Sequence, residues 1–75
     1  SNKKKILESY INKFGINPKN ILYVGNDLND LECMKIVGWP IAVNDADPKI
    51  KDVSKIILKK KGGQGIVKEI YNLLI

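Results

Sequence analysis

The sequence contains no arginine: all 13 of its basic residues are lysine, set against 8 acids, for a net charge of +5. That absence weighs against a sequence-reading nucleic-acid binder, because bidentate contacts to base edges are made chiefly by arginine. The lysine runs Lys3-Lys4-Lys5 and Lys59-Lys60-Lys61 have no helix-turn-helix, zinc or aromatic stacking pattern beside them, so nucleic acid is not the expected partner. The same positive field suits a phosphorylated metabolite equally well. The single cysteine, Cys33, leaves no internal disulfide to form, and a reducing cytoplasm is the expected setting. No apolar run approaches the roughly 18 residues of a membrane span. The opening lysines lead into an amphipathic segment instead of the continuous apolar stretch of a signal peptide. Repeats, linkers and low-complexity tracts are absent too. Seventy-five residues make one small domain, which buries only about 60% of its unfolded surface. The expectation is that something outside this chain completes its core.

What the sequence does contain is organised around Ile21 to Asp30. Ile21-Leu22-Tyr23-Val24 is the length of a buried parallel strand, Gly25 permits a tight turn, and Asn26, Asp27 and Asp30 follow at once. Acids at the carboxyl end of a strand stand where ligands bind in open α/β sheets. Each polar residue of the loop also has a plainer use, since Asn26, Asp27 or Asn29 is able to cap the next helix.

Upstream, Ile6, Leu7, Tyr10, Ile11 and Phe14 recur at helical spacing and predict a helix with a buried face, stopped by Gly15 and followed by a turn at Asn17-Pro18. Downstream, a second helix runs from Leu28 to Val37 and stops at Gly38. A strand is expected over Trp39 to Val43, with Pro40 tolerable near its beginning. Asp47 and Pro48 start a short helix reaching about Val53. Lys55 to Leu58 reads as a third strand. A last helix from about Gly65 places Ile66, Val67, Ile70, Tyr71 and Leu74 on one face. Such alternation implies an α/β fold with a parallel sheet covered by helices. Cys33 and Met34 are expected to fill core, and Trp39 and Tyr23 to pack at strand edges or interfaces.

Gly25-Asn26-Asp27-Leu28-Asn29-Asp30 is followed in register by Met34, Val37-Gly38, Ile41-Ala42-Val43, Asp45-Ala46 with Pro48, and Gly62-Gly63 with Gly65 and Val67. This series resembles the C-terminal half of a haloacid-dehalogenase-superfamily phosphatase. The similar branch is the capless one, typified by 3-deoxy-D-manno-octulosonate 8-phosphate phosphatases and by the C-terminal domain of acylneuraminate cytidylyltransferases. The resemblance implies a partial Rossmann-like sheet of about three strands, residues 1–75 forming the C-terminal part of a single domain. It also implies Mg²⁺ as cofactor, held by Asn26, Asp27 and Asp30, and a sugar-phosphate monoester as substrate. Asn26 stands where the family has its first acid; a neutral amide oxygen would hold Mg²⁺ less tightly than a carboxylate. Lys3 falls at the family's phosphate-neutralising lysine, with a solvated terminal lysine as the alternative reading. Gly62 and Gly63 would lie near the substrate, and Asp45 would face the site from behind the residues that touch metal.

The family's nucleophile is an aspartate in an Asp-x-Asp motif, and no such motif follows a first strand here. Asp45-Ala46-Asp47 has the pattern but matches a later family segment, with Asp47 free to cap the helix at Pro48. The chain therefore reads as a fragment whose N-terminal half, with the nucleophile, is missing; a homo-oligomer is the expected assembly. The other reading is a noncatalytic oligomerisation module attached to a cytidylyltransferase, with Asn26 as the sign of lost chemistry.

Overall fold

Strand β1 (Leu22–Gly25) forms one residue later than the hydrophobic run suggests. Asn17 accepts from the Lys19 N–H (3.0 Å) and caps a 3₁₀ turn over Pro18–Asn20, which Ile21 closes by donating its N–H to the Pro18 carbonyl. Ile21 thus belongs to the turn as well as to the sheet. At the other end the Gly25 carbonyl accepts from the Val43 N–H (3.3 Å), which draws the glycine into the ladder.

The computed structural model describes residues 2–63 and 65–74. Helix α1 (Asn2–Phe14) ends at Gly15, whose φ of +61° makes the expected left-handed stop. A 3₁₀ turn over Leu28–Asp30 runs into α2 (Leu31–Ile36), so the second helix is shorter and starts tighter than its periodicity suggests. Then come β2 (Trp39–Ala42), α3 (Pro48–Asp52), β3 (Ile56–Ile57) and α4 (Ile66–Leu74). The strands lie in the order β1-β2-β3 and are all parallel, with Leu22 opposite Trp39, Gly25 opposite Ala42 and Ile41 opposite Ile56. Pro40 costs this central strand no donor. Its carbonyl accepts from the Lys55 N–H on the β3 side, so the missing N–H would point there too, where β3 has not yet begun.

The buried core is Met34, Ile41, Ala42, Val43, Ala46, Ile50 and Leu58, and Cys33 is buried beside Met34 as expected. Side chains alternate across a strand. Tyr23, Gly25, Pro40 and Ala42 therefore share the sheet face on which α2 packs, and Leu22, Trp39, Ile41 and Ile56 share the opposite one. Between that second face and α4 (Ile70, Leu73) lies an open groove of about 450 Å³.

Two helix faces depart from expectation. No residue of α1 is buried: Leu7 and Ile11 are half covered, α1 resting on α2, whereas Ile6, Tyr10 and Phe14 are each more than half exposed. The apolar stripe is wider than the surface this chain offers to cover it. Likewise Ile66 and Ile70 of α4 pack on the core while Val67 and Tyr71 stand in solvent; the Leu74 side chain lies outside the described residues.

Candidate functional site

The loop after β1 is built around one carboxylate. Asp30 is 4% exposed, and each of its oxygens accepts two hydrogen bonds. Oδ1 takes the Tyr23 hydroxyl (2.8 Å) and the Lys3 ammonium (3.0 Å). Oδ2 takes the backbone N–H of Asn26 (2.9 Å) and, at longer range, that of Asp27 (3.3 Å). Asp27 answers with its own side chain, accepting from the Asn29 N–H (2.9 Å), so that Asp27 and Asp30 form a reciprocal capping box on the 3₁₀ turn. Of the three candidate caps it is Asp27 that serves. Asp30 folds back beneath the loop because Gly25 has no side chain: a Cβ there would strike the Met34 sulfur and stand 3.0 Å from the Asp30 Cβ.

These contacts set the charge states. Burial opposes ionisation of Asp30, but it is outweighed by the Asn26 N–H, then the Lys3 ammonium, the Tyr23 hydroxyl and the Asp27 N–H, and the carboxyl titrates below its ordinary 3.8. The hydrogen bond to Asp30, and then its charge, hold Lys3 protonated beyond its ordinary 10.5. Burial, reinforced by Asp30, pushes the Tyr23 phenol well up and keeps it a donor.

Two further loops converge on the same edge of the sheet. The Asp47 N–H donates to the Asn26 carbonyl (2.8 Å), which ties the β2 loop to the β1 loop. The Asp47 side chain caps α3 through the Lys49 N–H (2.8 Å), the role expected for it. Asp45 accepts from the Gly62 N–H (3.1 Å), and Gly63 takes a left-handed φ of +79°. Gln64, between the loop glycines, lies outside the described residues. Glu69 grips the basic run from α4, its two oxygens accepting from the N–H groups of Lys59 (2.6 Å) and Lys60 (2.8 Å).

The structure thus brings Lys3 to Asp30, Asn26 and Asp27, and it brings Asp45 to Gly62 on the neighbouring loop. Asn26 and Asp27 are exposed hard-oxygen donors at the carboxyl end of β1. Among the described residues no three carboxylate, cysteine or histidine side chains cluster as a metal site. That donor set fits part of a Mg²⁺ shell, since Mg²⁺ takes one or two protein oxygens together with water and phosphate.

Sequence reasoning missed two residues. Tyr23 had a signal, because a period of two places it on the same strand face as Gly25, under which Asp30 folds. Glu69 had none, its partners being nine and ten residues away with nothing local to join them.

Residues 1–70 match the family model for haloacid dehalogenase-like hydrolases. The chain belongs to that family. All 75 residues align with 3-deoxy-D-manno-octulosonate 8-phosphate phosphatase KdsC of Escherichia coli K12 at 37% identity, covering 40% of that protein. Among solved structures, the 3-deoxy-D-manno-octulosonate 8-phosphate phosphatase of Moraxella catarrhalis, described in complex with magnesium ion, phosphate ion and KDO, superposes with a TM-score of 0.89. It is 33% identical over 96% of this chain and 41% of its own. The Yersinia pestis enzyme of the same name gives 0.83 at 30% identity, over 95% and 40%. This haloacid dehalogenase-like chain therefore spans about 40% of the length of the relatives it matches.

Proposed function

We propose that this chain is the metal- and phosphate-handling part of a Mg²⁺-dependent phosphatase acting on a small sugar-phosphate monoester, with the nucleophilic aspartate supplied from outside these 75 residues. The observation that carries the reading is the Asp30 carboxylate, which joins the Lys3 ammonium to the Asn26–Asp27 backbone at the carboxyl end of β1. Relatives that align with the whole chain bear the name of a sugar-phosphate phosphatase. Neither aspartate of the sole Asp-x-Asp is placed as a nucleophile, Asp47 capping a helix and Asp45 holding the Gly62 N–H.

In this reading Asn26 and Asp27 offer oxygens to the metal; Asp30, expected as a third ligand, is buried with both oxygens taken by four donors, and it acts from beneath by fixing their backbone and by fixing Lys3. When bound, Mg²⁺ neutralises charge on the phosphoryl oxygens. Lys3 adds a second positive charge at the same edge, half exposed and so within reach of a ligand. Asp45, through Gly62, keeps the glycine loop beside the site, where its backbone would border the sugar. We further propose that the domain is completed by sequence outside this chain and assembles as a homo-oligomer. A noncatalytic module is the second reading, favoured by one observation, the neutral Asn26 at the first metal position.

Phosphate release from a panel of sugar phosphates, assayed with and without Mg²⁺, tests the choice. The full-length protein should turn over in a metal-dependent way while the 75-residue chain stays at background. Asn26→Asp should tighten Mg²⁺ binding by about tenfold or more in calorimetry, because it adds a charge to the cation's own shell. A full-length protein that binds Mg²⁺ yet releases no phosphate would favour the noncatalytic module.

A further inference from the structure

Lysine is a poor tool for placing a charge, because its ammonium rides on four rotatable bonds and loses rotamer freedom when held. Lys3 is half exposed, and its ammonium pairs with Asp30 at 3.0 Å. Where that ammonium stands is therefore decided by the orientation of the Asp30 carboxylate. A carboxylate turns broadly about its last bond unless its oxygens are held. Oδ2 is held by the Asn26 N–H at 2.9 Å and only loosely by Asp27 at 3.3 Å. Oδ1 receives Tyr23, whose hydroxyl comes from β1 at 2.8 Å and is the one side-chain donor in the group mounted on the sheet. An oxygen of this kind has two acceptor directions. With the phenol in one, the ammonium is left the other.

We propose that Tyr23 is a positioning residue for the phosphate-handling lysine: its hydroxyl fills one acceptor direction of Asp30 Oδ1, fixes the plane of the carboxylate and confines the Lys3 ammonium to the remaining direction. This rests on the reading of Lys3 as the residue that meets phosphate. Nothing in it requires Tyr23 to touch substrate.

The test uses the full-length protein and has two arms. In the first, ¹⁵N relaxation of the lysine ammonium groups is compared between wild type and Tyr23→Phe. The order parameter of the Lys3 ammonium should fall in the variant towards that of an exposed lysine, and an unchanged value would overturn the proposal. In the second, Tyr23→Phe should lower kcat about tenfold with KM within about twofold, the pattern of an interaction that matters in the transition state. Added to Lys3→Met it should cost nothing more, because a residue acting only through Lys3 has no effect once Lys3 is gone. Additive losses would assign Tyr23 a general structural role and overturn the proposal. Absence of phosphate release from wild type would defeat the phosphatase reading, and the relaxation arm would still decide whether Tyr23 positions Lys3.

Discussion

A buried carboxylate with four donors is the most sharply defined feature at the scale of single residues. Replacing Asp30 by asparagine keeps the shape and removes the charge, and the new NH₂ must face donors on one side. The expected cost is about 2 kcal/mol, within the range for hydrogen bonds to a charged group. Proton linkage gives a second signature. Because the folded Asp30 titrates below its ordinary 3.8, its contribution is fully present above that value and is lost as pH falls through the lowered one. Urea denaturation from about pH 6 down to about pH 2 should therefore show an acid limb in wild type that Asp30→Asn flattens in part. An unchanged limb would mean that Asp30 is not ionised in the fold. The sequence placed this acid at the right edge of the sheet, and three of its four partners lie within seven residues of it; Lys3, 27 residues away, is the one that only folding could bring.

Two glycines show how tightly the elements approach one another. At Gly25 an added Cβ meets the Met34 sulfur, part of a flexible side chain, and crowds the Asp30 Cβ at 3.0 Å, so Gly25→Ala should cost about 2 kcal/mol as both side chains shift. At Gly38 the obstacle is the backbone of Lys19, fixed by the Pro18 turn, whose carbonyl also accepts the Gly38 N–H at 2.9 Å. Backbone cannot step aside, and Gly38→Ala should cost more, about 3 kcal/mol or beyond. Thermal melts of the two variants would check the order, and equal losses would contradict it. A stop at Gly38 was legible from helix periodicity; the close approach to Lys19 was not, because it depends on a turn 20 residues earlier.

For the whole molecule the telling feature is what remains uncovered. Parallel pairing commits Ile21 and Gly25 to β2, so the backbone groups of Leu22 and Val24 face outward on β1 without a ladder partner among the described residues. Exposed Ile6 and Tyr10 of α1 border, with Lys3, Leu7 and Tyr23 of β1, a hollow of about 310 Å³. An open strand edge left bare is an association hazard. The 75-residue chain, at about 10 µM, should sediment as a concentration-dependent associate. A dilute, cooperative, monomeric melt would show that the sheet is complete as it stands.

The sequence by itself determined the alternation of helix and strand, the turn at Asn17-Pro18, the cap at Asp47, the stop at Gly15 and the delivery of acids to the end of β1. Each depends on residues within a few positions of one another, where spacing and backbone preference decide the outcome. Tertiary structure alone decided that Lys3 reaches Asp30, that Glu69 holds the lysine run, and that the stripe on α1 lies open. Those are contacts across long stretches of chain, or surfaces left over once the core has closed, and a local pattern carries no record of either.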